Sequence, residues 1–142
     1  MARPSADGSP GADLWAIASV KARYLRYMDL KQWKEMRALF TDDAIFDHPT
    51  IGRFEQDPSA AIDAVAAMLV DDFWTNHESG IPDIELTSKD TAKGVFAMSS
   101  TSRPPGQKEL LRTFGHYHDE FRRVDGVWRI ATLKLISTYR EV

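Results

Sequence analysis

The chain contains no cysteine, which excludes disulfides, thiolate metal sites and cysteine nucleophiles. It therefore has no need of an oxidising compartment. An excess of one charge is also missing: 18 Lys and Arg stand against 21 Asp and Glu, leaving a net charge of −3. A nucleic-acid binder needs a basic stripe, and the evenly mixed charges here offer none. No apolar run is long enough to span a bilayer, so no membrane partner is expected. Residues 1–12 are rich in Pro, Gly, Ser and Ala and lack the apolar stretch of a signal peptide. They read as a mobile tail, and a cytoplasmic location is the expectation. A phosphate-binding glycine loop and a G-x-S-x-G nucleophile elbow are likewise absent.

What remains is one domain over residues 13–142. With 142 residues, 43% hydrophobic, the chain can bury a core and still leave room for one small-molecule pocket. Leu14, Ile17, Lys21, Tyr24, Leu25 and Met28 recur at helical spacing, so the first helix, Asp13 to Met28, has one face to bury. Asp29 follows at its end, with Tyr24 and Tyr27 nearby. The C-terminus of a helix carries partial negative charge, so an acid there needs a donor or a cation from elsewhere, or else is a solvated turn residue. Residues 31–39 read as a second helix, Thr41-Asp-Asp as a turn, and Ala44–His48 as a short strand stopped by Pro49. Residues 50–57 form a polar loop, and Pro58–Val70 is an Ala-rich third helix with proline near its start.

Strands dominate the remainder. Asp83–Thr87, Thr91–Ser102, Glu109–Arg123 and Val127–Tyr139 are strands, with a tight hairpin at Val124-Asp-Gly126. Three N-terminal helices packed in a curved antiparallel sheet make an α+β domain, a cone with an open mouth. Alternation assigns Ala92, Gly94, Phe96, Met98 and Ser100 to the inner face of one strand. Leu111, Thr113, Gly115, Tyr117 and Phe121 take that face in the next. In the last strand Arg129, Ala131, Leu133 and Leu135 alternate against Trp128, Ile130 and Thr132. Phe114, His116 and His118 point outward. Both faces are substantial, so a homo-oligomer, dimer or trimer, formed through the outer face is the economical explanation.

Tyr24-Leu-Arg-Tyr-Met-Asp-Leu-Lys-Gln-Trp33, Leu39-Phe-Thr-Asp-Asp-Ala44 and Val124-Asp-Gly-Val-Trp-Arg-Ile130 resemble the nuclear transport factor 2-like superfamily. Within it the SnoaL-like branch is the nearest in pattern. That branch includes scytalone dehydratase, bile-acid 7α-dehydratase and hexachlorocyclohexane dehydrochlorinase. The resemblance covers about residues 13–140 and implies the cone-shaped fold, while the superfamily holds lyases, isomerases, hydrolases and non-catalytic binders. In the lyases it implies a catalytic Asp at the end of the first helix and a His at a strand beyond the third, here Asp29 and His77. The bile-acid enzyme adds a Tyr at the place of Tyr24. Scytalone dehydratase has a pocket Tyr where this chain has His48, and its second catalytic His falls near Ser102, where this chain departs from the pattern. The dehydrochlorinase has a Lys at the Tyr24 position and a pocket Arg matched by Arg129.

Taken together, the resemblance implies a cofactor-independent lyase or isomerase acting on a small hydrophobic, cyclic substrate, with His77 as base, Asp29 orienting it and Tyr24 assisting. Neutral imidazole accepts a proton near neutral pH, and an acid on its other nitrogen fixes the tautomer. Tyr27, Phe46, His48, Met98, Tyr117 and Arg129 are the candidate substrate-binding residues, with Phe46, Met98, Leu111 and Leu133 as apolar walls. Each has a plainer reading: a strand-start histidine for His77, core aromatics for Tyr24, Phe46 and Tyr117, and an ion pair to Asp119 or Glu120 for Arg129. A metal reading of His116, His118, Asp47 and His48 is weaker, because the H-x-H pair falls on the face away from the pocket. No metal or other cofactor is called for. The alternative function is a non-catalytic small-molecule-binding or oligomerisation domain of the same fold.

Overall fold

A computed structural model describes residues 9–141. Helix α1 spans Pro10–Asp29. It starts earlier than apolar periodicity alone indicates because Ser9 caps it, accepting from the Ala12 amide at 3.4 Å, with proline in the first turn. Residues 9–12 thus belong to the helix and its cap, and residues 1–8 of the expected tail lie outside the described residues. Lys31 adopts a left-handed conformation, φ 56°, which confines the second helix, α2, to Trp33–Arg37. The third, α3, is Pro58–Met68, capped by Asp57 through the Ala60 amide at 3.1 Å.

The strands are β1 Phe40–His48, β2 Gly52–Phe54, β3 Trp74–Ser79, β4 Asp83–Leu86, β5 Thr91–Arg103, β6 Leu111–Val124 and β7 Val127–Arg140. Thr41-Asp-Asp, expected as a turn, lies inside β1, where the register against β7 slips between Phe40 and Ile45. The polar loop expected after Pro49 contains the short strand β2. The sheet runs β2-β1-β7-β6-β5-β3, with β4 also on β5. Every pairing is antiparallel except β1 with β7, which is parallel. The curved, unclosed sheet holds the helices on one side. Helix α1 meets β3, β4 and β7, and α3 meets β1 and β2.

Burial along β6 follows the alternation read from the sequence: Gly115, Tyr117, Asp119 and Phe121 are inside, and Phe114, His116, His118 and Glu120 are outside. In β7 the alternation breaks. Phe121 pairs with Ile130 but Glu120 with Thr132, so Ala131 is an extra residue, a β-bulge. Trp128 and Ile130 are buried before it, and Leu133 and Leu135 are buried after it. A second slip between Phe114 and Gly115 lies nearer the strand end. Among the described residues no helix is long and apolar enough to cross a membrane.

Candidate active site

Helix α1 delivers Asp29 to the edge of the sheet, where β3 supplies three donors. His77 Nδ1 lies 2.6 Å from Asp29 Oδ1. The His77 backbone amide donates to Oδ2 at 2.9 Å, and the Thr75 hydroxyl donates to Oδ1 at 2.9 Å. This answers the question posed by an acid at a helix C-terminus: its partners come from β3. Thr75 and His77, two apart in the strand, share the face that meets the helix end. The two side chains are only 13% and 17% exposed for His77 and Asp29 respectively. A carboxylate only accepts, so the short contact requires the proton on Nδ1 and leaves the Nε2 lone pair free for another partner.

His77 forms part of the wall of a cavity of about 320 Å³. Tyr24 and Met28 from α1, Phe46 and His48 from β1, Val65 from α3 and Leu69 just after it line the cavity. Met98, Leu111, Tyr117 and Leu135 from the sheet add to its apolar wall. Leu133, expected there, is fully buried in the core, and Leu135 takes its place. Tyr24 and Tyr117 meet edge to face at 5.9 Å. Burial raises both phenols above their ordinary pKa, so they are neutral.

His48 points the same way along β1 as the fully buried Phe46, whose ring it parallels at 6.1 Å. Its Nδ1 accepts from the Thr50 and Ile51 amides at 3.1 and 3.2 Å. Burial, reinforced by His77, Arg140 and Lys21, lowers its pKa to about 4, against a smaller opposing effect of Asp47.

Two expected pocket residues lie elsewhere. Tyr27 is half-buried on the flank of α1, with the Arg26 guanidinium over its ring at 5.3 Å. One residue before Met28, it is rotated off the stripe that faces the cavity. Arg129 donates to the Ala38 carbonyl at 2.7 Å and borders a separate surface hollow with Phe40, Asp42 and Asp43. The bulge at Ala131 is the cause, because it places Arg129 on the face opposite Leu133 and Leu135. Asp119, considered as its partner, is instead bound to Lys21.

Thr75, Ser100 and Arg140 were not singled out as site residues, yet all three border the cavity. His77 pairs with Ser100, Ser100 with Thr113 and Thr113 with Arg140, forming a polar row across four strands. Alternation already turned Ser100 and Thr113 inward. Arg140 follows both bulges of β7, so strict alternation gives no guide to it.

Residues 11–134 match the SnoaL-like domain family. The chain belongs to that family. The solved structures most similar in shape include a hexachlorocyclohexane dehydrochlorinase, LinA type 2. It is 23% identical with a TM-score of 0.83, over 92% of this chain and 88% of that one. A candidate scytalone dehydratase of Novosphingobium aromaticivorans is 20% identical with a TM-score of 0.83, covering 91% and 86% of the two chains. The Kfla4162 protein of Kribbella flavida is 21% identical with a TM-score of 0.84, covering 94% and 95%. At these identities the likeness establishes the nuclear transport factor 2-like fold of this SnoaL-like domain, not its reaction.

Proposed function

We propose that this SnoaL-like domain is a cofactor-independent lyase or isomerase, of dehydratase or dehydrohalogenase type, acting on a small, largely apolar ring compound. The observation that carries the reading is the 2.6 Å contact between His77 Nδ1 and Asp29 at the wall of an apolar cavity. His77 Nε2 takes a proton from carbon. The C–H electron pair then forms a double bond and expels hydroxide or halide from the neighbouring carbon, or returns to a proton at another carbon. Asp29 keeps the ring in the required tautomer and stabilises the imidazolium. Tyr24, neutral and packed against Tyr117, donates its phenolic proton as a hydrogen bond to the leaving group or to an oxygen of the substrate. Phe46, Met98 and Leu135 exclude water. The similarity in fold to a dehydrochlorinase is in keeping with such chemistry. The protein assembles as a homo-oligomer through the outer sheet face, where Phe114, Ile136 and Tyr139 are exposed.

The test is a screen of hydroxylated and halogenated cyclic compounds against the wild type, His77→Ala and Asp29→Asn. General-base loss predicts a drop in rate of about 10²–10⁴-fold for each, with folding retained. Full turnover in either variant refutes the assignment. Retention of ligand without turnover in the wild type identifies a binding protein instead.

A further inference from the structure

One wall of the cavity is polar and ends in a cation. His77, Ser100, Thr113 and Arg140 follow one another across β3, β5, β6 and β7, and all four line the cavity. Arg140 and Thr50 are exposed, whereas Tyr24, Phe46 and Tyr117 are buried, so Arg140 marks the open end. Neighbouring strands lie about 4.8 Å apart, so at most roughly 14 Å separates the backbone of His77 from that of Arg140. Arg140 Nη1 donates to the Thr50 hydroxyl at 3.1 Å. Among the described residues no carboxylate pairs with it. The next acid along the chain, Glu141, also borders the cavity but is engaged elsewhere. It accepts from the Arg112 amide at 2.9 Å and from the Arg112 guanidinium at 3.1 and 3.3 Å. The hydroxyls of Ser100 and Thr113 likewise bond no other described residue. The charge of Arg140 is felt inside the cavity: after burial and His77, it is the next cause of the low pKa of His48.

We propose that Arg140 is an anion-binding residue at the cavity mouth, and that the substrate is a ring compound bearing a carboxylate, its ring directed inward and its acid group on the Arg140 guanidinium. The proposal rests on the reading of His77 as base and names the substrate class for it. A guanidinium presents its donors in a planar fork that matches a carboxylate. One donor of Arg140 is on Thr50, and the others remain for a ligand. A single arginine supplies one unit of charge, which a monocarboxylate balances. Met28, Phe46, Val65 and Leu69 form the apolar surface that takes the ring. The acid group lies away from the reacting carbon, so its binding serves orientation: it fixes which carbon is presented to His77. A neutral ring compound of the same size leaves the cation without its partner and binds less tightly.

Binding of 4-phenylbutyrate and 4-phenylbutyramide, which differ in the charge of the terminal group, tests this by calorimetry on the full chain at neutral pH. The acid should bind the wild type about tenfold more tightly than the amide. It should also shift the Arg140 Nε–H resonance in ¹⁵N-labelled protein. Arg140→Met keeps most of the side-chain bulk and removes the charge. That variant should bind the acid no better than the amide, with the amide's affinity unchanged. Arg140→Lys, which keeps the charge without the fork, should retain part of the preference. Raising the salt concentration should shrink it. Equal binding of the two probes by the wild type overturns the proposal, as does no shift at Arg140. So does an Arg140→Met variant that keeps the preference or weakens both probes alike. The preference should survive His77→Ala. A failed base assignment therefore shows in turnover with the preference intact, whereas failure of this proposal shows in binding alone.

Discussion

Lys21 and Asp119 form an ion pair in the protein interior, Nζ to Oδ2 2.7 Å, with both side chains essentially inaccessible. They join α1 to β6 directly beside the site: the Lys21 ammonium lies 3.3 Å from the Tyr117 ring centroid and 4.5 Å from that of Tyr24. Desolvation lowers Lys21 to about 8 despite the nearby acid, and burial raises Asp119. Breaking such a pair strands a buried charge. Asp119→Ala should therefore cost about 3–5 kcal/mol in urea unfolding, whereas Lys21→Met combined with Asp119→Leu should recover most of that loss. Additive losses in the double variant would show that the pair is not coupled.

Thr75 is a positioning residue. Its hydroxyl donates to the same Asp29 oxygen that His77 Nδ1 contacts. Thr75→Val keeps the shape and removes the donor, so unfolding should lose about 1–2 kcal/mol and turnover should fall severalfold. Thr75→Ser should restore both. A Val variant with unchanged turnover would reduce Thr75 to a packing residue.

Gly115 stands at the second β7 bulge, and a Cβ there would collide with the Ile136 carbonyl oxygen. The obstacle is backbone held in the ladder, not a mobile side chain. Gly115→Ala should cost about 1–3 kcal/mol by thermal or urea unfolding, the range for overpacking. An unchanged midpoint would mean that β7 yields at no cost.

His48 gives the stability curve a definite slope. Its pKa is lowered from 6.5 to about 4 when folded, and the groups acting on it are His77, Arg140, Lys21 and Asp47. Between these values the unfolded chain binds more protons than the folded one, so stability rises with pH across that window. Acidification from above 6.5 to about 4 should cost roughly 3 kcal/mol through this group alone. Urea midpoints of the wild type and His48→Gln at several pH values should converge as the pH falls. Parallel curves would remove His48 as the source.

Much of this was readable in the chain. Asp125-Gly126 announced the β6–β7 hairpin, and both residues take positive φ, 51° and 78°, as the tight turn requires. The stripe from Ile17 to Met28 announced a buried helix face, and Asp29 at its end raised the question of a partner that the sequence alone left open. His77 came only from the family resemblance, since a histidine in an ordinary strand carries no local signal. Arg129 was matched to a pocket arginine through the resemblance, but it would face inward with Leu133 and Leu135 only in an unbroken ladder, and the residue inserted at Ala131 reverses the parity. Tyr27 was misplaced because proximity to Asp29 along the chain is not proximity around the helix.

Local chemistry settled on its own where helices and hairpins form, since caps, turns and apolar periodicity act over a few neighbours. It also supplied the residue types, an acid at a helix end and imidazoles on strands. Which of them meet was decided by long-range pairing: β3 lying against the end of α1 joins Asp29 to His77, and two bulges in β7 direct Arg129 out and Arg140 toward the cavity. Contacts that span scores of residues depend on the register of the whole sheet, and register is a property of paired strands that no single segment contains.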